Sequence, residues 1–139
     1  MNSANELPQL ASDLFVNAYP ETLPFWEAAE RGVFLAKKCG ACNQLHWYPR
    51  VICPLCGSDQ TGWQEISGKG TIYSFSKIEK TAQPYVLAWI RLQEGPIVIT
   101  NIVDTDFNCI NIGDEVESRF RRTTHGRLCP VFVRTAPSR

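Results

Sequence analysis

Cys39-Gly-Ala-Cys42 and Cys53-Pro-Leu-Cys56, two Cys-x-x-Cys pairs with ten residues between them, decide the fold of this chain. Two tight turns at this separation can direct four thiolates at one tetrahedral centre, with Zn–S bonds of about 2.3 Å. The spacing predicts a rubredoxin-like zinc ribbon whose metal ligands are Cys39, Cys42, Cys53 and Cys56. Because four cysteines leave no coordination position for water, we expect the zinc to be structural and not catalytic.

Disulfide and redox chemistry are the alternatives for these cysteines. Residues 1–8 are polar and lack the features of a secretory signal, so we expect a cytoplasmic protein in which thiols stay reduced. A thioredoxin-like pair would open a helix, and no helix is predicted after Cys42 or Cys56. Structural zinc is therefore favoured. His46 lies inside the ribbon, and we expect it to be a surface or packing residue and not an alternative ligand.

Length and charge limit the remaining possibilities. The 139 residues carry fourteen Lys and Arg against fourteen Asp and Glu, so no global field attracts polyanions or anionic membranes. No apolar run approaches the roughly eighteen residues needed to span a bilayer. We expect three segments: N-terminal helices over 1–33, the zinc ribbon over 34–66, and a barrel with a C-terminal tail over 67–139.

Two short helices are predicted before the ribbon. Ser12 is expected to cap the first, over 13–18, and Thr22 the second, which Gly32 ends. The second helix carries an apolar stripe whose spacing is three to four residues, formed by Phe25, Trp26, Ala29 and Val33. The stripe can pack on the protein's own ribbon or barrel, or it can contact a partner.

The hydrophobic period changes to two after Ser67, which predicts β-strands. Gly68 and Gly70 are expected to turn the chain from the ribbon into the first of them. Five strands with short joins predict a mainly β protein whose second part is an OB-type Greek-key barrel, with a sandwich fragment as the alternative. The predicted strands are 71–78, 85–92, 96–103, 115–121 and 128–134.

No self-contained catalytic motif is present. Gly68-Lys69-Gly70-Thr71 fails as a phosphate-binding loop, because the preceding glycine is one residue too far away and a glycine stands where the magnesium-binding Ser or Thr belongs. A stand-alone thioester hydrolase would need Cys109 or Cys129 with His125 as base. Both thiols are expected to be inert instead, since cysteine is among the most frequently buried residues.

The C-terminal stretch is locally basic. Between Asp114 and Arg139, six arginines stand against three acidic residues. An OB barrel with exposed aromatics such as Tyr73, Phe75 or Trp89 and a basic rim can bind single-stranded nucleic acid. This binding module is the alternative function, and the neutral net charge makes it the less favoured one.

The order of these parts resembles a family of zinc-ribbon plus OB-fold proteins, long described as a domain of unknown function, that accompany thiolase-fold acyl-CoA enzymes. The resemblance covers about residues 23–132. The motifs that carry it are Phe25-Trp26-Glu27-Ala28, the two cysteine pairs, Pro49-Arg50, Gly68-x-Gly70-Thr71-Ile72-Tyr73-Ser74-Phe75, Tyr85-Val86, Leu92-x-Glu94-Gly95, Thr100-Asn101-Ile102-Val103, Ile112-Gly113-Asp114-Glu115-Val116 and Pro130-Val131-Phe132.

The resemblance implies a non-catalytic accessory subunit in a hetero-oligomer. The thiolase-like partner would carry the cysteine and histidine chemistry on an acyl-CoA: condensation, thiolysis, acyl transfer or retro-aldol cleavage. This chain would dock on the partner and contact the CoA thioester at most through the complex. Arg50, Lys77 and Arg121 are the candidate phosphate contacts, only because such side chains suit phosphate groups.

Overall fold

The computed structural model describes Leu10, residues 13–124 and residues 126–135. It is mainly β and forms two compact units. The ribbon unit consists of the described residues up to Ile66 together with Phe120–Cys129. The barrel unit consists of Ser67–Arg119 and the described residues from Pro130 onward. No helix in the described part of the chain is long and apolar enough to cross a membrane.

The ribbon unit begins with two helices, α1 (Leu14–Ala18) and α2 (Leu23–Glu30), joined by a 3₁₀ turn. Asp13 caps α1, because its Oδ1 accepts hydrogen bonds from the backbone N–H groups of Phe15 and Val16. The prediction that Ser12 would cap this helix is wrong, and Ser12 itself lies outside the described residues. Gly32, at φ +76°, ends α2 as predicted.

Thr22 precedes α2, but its side chain makes no capping hydrogen bond. Its O–H group instead donates to the Tyr19 carbonyl oxygen at 2.7 Å, and its oxygen accepts the indole N–H of Trp26 at 3.0 Å. The capping prediction therefore identified the position and missed the interaction. The predicted apolar stripe is buried at Phe25, Trp26 and Ala29, whereas Val33 is half-buried.

Helix α2 packs on a three-stranded antiparallel sheet of order β2-β1-β3. Its strands are β1 (Phe34–Cys39), β2 (Leu45–His46) and β3 (Thr61–Ile66). The ring of Phe25 is fully buried and lies 5.8 Å from Phe34 and 5.1 Å from Trp47, centroid to centroid. The stripe thus covers the ribbon's own aromatic core.

The closed five-stranded barrel confirms the mainly β, OB-type prediction. The strand order is β4-β5-β6-β8-β7. Strand β4 pairs antiparallel with β5 and with β7, and β5 pairs antiparallel with β6. Strand β6 pairs parallel with β8. Alternate residues fill the interior, as the period of two requires. The strands are β4 (Lys69–Ile78), β5 (Tyr85–Leu92), β6 (Ile97–Ile102), β7 (Glu115–Arg122) and β8 (Leu128–Arg134).

Gly68 and Gly70 differ from their predicted role. Gly68 lies at φ +76° just before β4, which fits a turn. Gly70 instead lies within β4, opposite Leu92 and Val116. A Cβ there would come within 2.5 Å of the Arg91 carbonyl oxygen, so this glycine permits a close approach of β5.

Candidate metal centre

The structure brings the four motif cysteines together. All four Sγ atoms lie within 4.8 Å of one another. The Sγ atoms of Cys39 and Cys56 are 3.6 Å apart, and those of Cys42 and Cys53 are 3.8 Å apart. Four sulfur atoms at about 2.3 Å from a tetrahedral zinc ion are about 3.8 Å from each other. The sulfur positions therefore fit one Zn²⁺ ion.

Each cysteine pair is held by the same local geometry. Cys39 ends β1, and the N–H groups of Ala41 and Cys42 point at its Sγ at 3.3 and 3.4 Å. In the second pair, the N–H of Leu55 points at the Sγ of Cys53 at 3.3 Å. Such amide contacts stabilise negative charge on sulfur, so both turns are prepared for thiolates.

The pKa values of the cluster differ from one cysteine to the next. The backbone N–H of Cys42 is the main cause that lowers the pKa of Cys39 to about 6. A hydrogen bond from the Ser58 backbone lowers the pKa of Cys56. The sulfur of Cys39, burial and the other two sulfur atoms have the opposite and larger effect, so the pKa of Cys56 rises to about 12. Four thiolates this close repel one another without a cation. The donor set therefore fits a divalent, thiophilic metal such as zinc.

His46 lies outside the four-sulfur cluster. It is 4% exposed, and no side chain among the described residues hydrogen-bonds to its ring nitrogens. Burial lowers its pKa, and the nearby charges of Lys37 and Arg50 act in the same direction. The prediction of a packing residue is confirmed for the described part of the chain.

The two candidate nucleophiles belong to different units. Cys109 is exposed in a 3₁₀ turn of the barrel unit, whereas Cys129 is half-buried in the ribbon unit. Burial raises the pKa of Cys129, which is opposite to what an activated thiolate needs. His125, the expected base, lies outside the described residues.

The three candidate phosphate contacts also belong to different units. Arg50 and Arg121 are exposed in the ribbon unit, and Lys77 is exposed on β4 in the barrel unit.

The basic C-terminal stretch is largely neutralised by ion pairs. Among the described residues of this stretch, four arginines each pair with a carboxylate at 2.9 to 3.3 Å, which reduces the charge that they offer to a polyanion. The pairs are Arg119–Glu117, Arg122–Glu30, Arg127–Asp13 and Arg134–Asp114.

The Arg127–Asp13 pair was missed by sequence analysis. The carboxylate of Asp13 is fully buried, and Arg127 Nη1 lies 3.0 Å from each of its oxygens. The same guanidinium stacks on Phe15 and Trp26, with 4.7 and 4.9 Å from its carbon to the ring centroids. The partners are 114 residues apart in sequence, so no local pattern could have indicated the contact.

Two family models match adjacent parts of the chain. The rubredoxin-like zinc ribbon domain of ChsH2 matches residues 26–62, and the C-terminal OB-fold domain of ChsH2 matches residues 63–121. These matches confirm the family resemblance that the motifs indicated.

Similar proteins extend this result. A DUF35 domain-containing scaffold protein of Methanothermobacter thermautotrophicus is 38% identical over 73% of this chain and 83% of its own length. A probable enoyl-CoA hydratase alpha subunit of Thermomonospora curvata is 32% identical over 81% of this chain, which covers 37% of that subunit. The solved structure described as "Ltp2-ChsH2(DUF35) aldolase" contains a chain with 29% identity and a TM-score of 0.72, covering 84% of this chain and 95% of that one.

Proposed function

Because this chain belongs to the ChsH2-type family of zinc-ribbon and OB-fold proteins, which includes the DUF35 scaffold proteins, we propose that it is a non-catalytic accessory subunit. It docks on a thiolase-fold enzyme and supports that enzyme's acyl-CoA chemistry. The observation that carries this proposal is the similarity over 84% of the chain to the ChsH2 (DUF35) chain of an aldolase. The similarity to a hydratase subunit also supports an acyl-CoA context.

The side chains of this chain support a division of labour in which the partner is the catalyst. Among the described residues, no hydrogen bond joins the ring of His46 to the thiol of a cysteine, as an activated nucleophile would require. Burial raises the pKa of Cys129, so its thiol is a poor nucleophile at neutral pH. In this proposal, the partner supplies the cysteine and histidine chemistry, which makes or breaks a carbon–carbon bond or transfers an acyl group. CoA contacts this chain only within the complex.

Zinc has a structural role in this proposal. Cys39, Cys42, Cys53 and Cys56 hold one Zn²⁺ ion with no coordination position open to water or substrate. The ion joins the two turns that the short ribbon strands cannot order by hydrophobic burial alone.

The test is coexpression with the thiolase-fold enzyme of the same host. Native mass spectrometry of the purified complex should give this chain, the enzyme and one zinc per copy of this chain. The chain alone should show no turnover of acyl-CoA, and its removal should lower the solubility or activity of the enzyme. An enzyme that is fully active and soluble alone, and forms no complex, would contradict the proposal.

Single-strand nucleic acid binding is the second candidate. It is favoured by Tyr73, which is 52% exposed on the barrel and has Arg91 stacked 4.9 Å from its ring centroid. The ion pairs of the C-terminal arginines weigh against it. Fluorescence anisotropy with a labelled oligonucleotide should show no salt-dependent binding at micromolar protein, and micromolar binding that weakens with salt would favour this candidate instead.

A further inference from the structure

The last residues of β7 and the first residues of β8 belong to the ribbon unit, although both strands are part of the closed barrel. Strand β7 leaves the barrel unit after Arg119, and β8 returns to it after Cys129. We call the described residues of Phe120–Cys129 the hairpin arm. Its turn is closed by the backbone N–H of Thr123, which donates to the carbonyl oxygen of Arg127 at 2.8 Å. The arm is therefore a hydrogen-bonded extension of two barrel strands.

The hairpin arm holds both N-terminal helices through two acidic side chains that are largely buried. Arg127 Nη1 lies 3.0 Å from each carboxylate oxygen of Asp13, the residue that caps α1. Arg122 Nη1 lies 3.0 Å from Oε2 of Glu30, the last residue of α2, whose side chain is 9% exposed. The Arg127 guanidinium also stacks on Trp26 of α2, with 4.9 Å from its carbon to the ring centroid. The arm thus fixes two helices that are too short to be stable by themselves.

The hairpin arm also lies next to the elements that carry the cysteine pairs. The ring of Phe120 is 5.9 Å, centroid to centroid, from that of Phe34, which begins the strand that leads to the first pair. Arg127 and Cys129 line one surface groove of the ribbon unit together with Cys53 of the second pair. The arm is therefore part of the structure that surrounds the metal centre.

The order of these partners depends on the metal. The three ribbon strands have six, two and six residues, which is too little to order them by burial alone, so zinc binding contributes folding free energy. The other parts of β7 and β8 are built into the barrel, where Val116 lies opposite Gly70 and the fully buried Phe132 lies opposite Ile102. A strand that is shared by two folding units can carry a change in one of them to the other.

We propose that the hairpin arm couples zinc loading of the ribbon unit to the order of β7 and β8 in the barrel unit. With zinc bound, the two ion pairs and Phe120 hold the arm, and the arm holds the ends of both strands. Without zinc, the arm loses its ordered partners and both strands fray, whereas β4, β5 and β6 have no residue in the ribbon unit and stay paired. Coupling between two equilibria is reciprocal, so the arm also strengthens zinc binding.

The experiment is hydrogen–deuterium exchange of the full chain, measured by mass spectrometry with zinc bound and after chelation. Zinc removal should speed amide exchange in β7 and β8 about 10-fold or more, and exchange in β5 and β6 less than about 2-fold. The double variant Arg122→Met/Arg127→Met should show the fast exchange with zinc bound. It should also bind zinc about 10-fold more weakly than wild type in competition with a chelator. The matched control is Arg119→Met, which removes the ion pair with Glu117 on the same strand inside the barrel unit and should behave like wild type.

Three results would overturn the coupling. The first is an unchanged exchange rate in β7 and β8 after zinc removal. The second is an equal increase in β5 and β6, because zinc loss would then unfold the whole barrel and not two strands. The third is a folded double variant that binds zinc as tightly as wild type. The wild-type comparison needs no substitution, so it decides the question even if the double variant fails to fold.

Discussion

Asp13→Asn is the substitution that most directly tests the long-range ion pair of the ribbon unit. Asparagine keeps the volume and the oxygen that caps α1, so the change removes mainly the negative charge. It leaves the guanidinium of Arg127, of which only 14% of the side chain is exposed, without a counter-ion. Its buried Nε already lacks a hydrogen-bond partner.

The expected cost is about 3 kcal/mol in the free energy of unfolding. Removing one partner of a buried pair costs about 3–5 kcal/mol, and the partial exposure of Arg127 places the value at the low end. Loss of a helix cap alone would cost about 1 kcal/mol. A decrease of about 3 kcal/mol would be a large part of the 5–15 kcal/mol typical of a domain.

Urea denaturation of the zinc-loaded protein measures this cost. Asp13→Asn, Arg127→Met and the double variant form a cycle, in which the two single losses should sum to more than the double loss by about 1–3 kcal/mol. A loss below about 0.5 kcal/mol for Asp13→Asn, or a double variant that equals the sum of the singles, would refute the reasoning.

The pH dependence of the same difference provides an independent check. Burial alone would raise the pKa of Asp13, but the hydrogen bonds from Arg127, Phe15 and Val16 outweigh it, and the pKa falls below the ordinary 3.8. A carboxyl with a lowered pKa contributes stability above its unfolded-state pKa and loses it as pH falls through the folded-state value. The difference between wild type and Asp13→Asn should therefore stay constant from about pH 8 to about pH 5. A difference that already shrinks at about pH 5 would show a raised pKa instead.

Three further predictions concern the metal, the barrel and the aromatic core. Cys39→Ser or chelation should remove the single zinc ion, as measured by inductively coupled plasma mass spectrometry. Either change should also abolish the near-ultraviolet circular dichroism of the ribbon. Added zinc should restore that signal in the chelated wild type and not in Cys39→Ser. Gly70→Ala should lower the unfolding free energy by about 2–3 kcal/mol in urea, because its Cβ would meet the Arg91 carbonyl; a neutral effect would mean that β5 can move away. Phe25→Ala should cost about 3–5 kcal/mol by the same measurement, since the ring is fully buried, and a loss under about 1 kcal/mol would contradict its place in the core.

Sequence patterns predicted the barrel better than the ribbon. The period of two located β5 and β8 to the residue, because alternation along a half-buried strand is a local property of the backbone. In the ribbon, β3 was not predicted as a strand. Its six residues, with Gly62 near the start and polar residues at 64 and 65, alternate weakly, and pairing with β1 holds them in place.

Local patterns also misled where another contact competed with the expected one. Thr22 has the right side chain and position for a helix cap, but its hydroxyl is engaged by Tyr19 and by the indole of Trp26. Gly70 was expected in a turn, yet what requires a glycine there is the neighbouring strand. In both cases the deciding partner is a group that local propensity does not describe.

The sequence by itself determined the cysteine spacing and the strand periodicity, and from them the ribbon and the five-stranded barrel. Both signals are local, because a tight turn and an extended strand can each be recognised from a few consecutive residues. The tertiary structure alone decided that Asp13 meets Arg127 across 114 residues, and that Phe15, Val51 and Ile52 line one groove. Such contacts depend on where folding brings distant segments together, so they could be found only once the chain was folded.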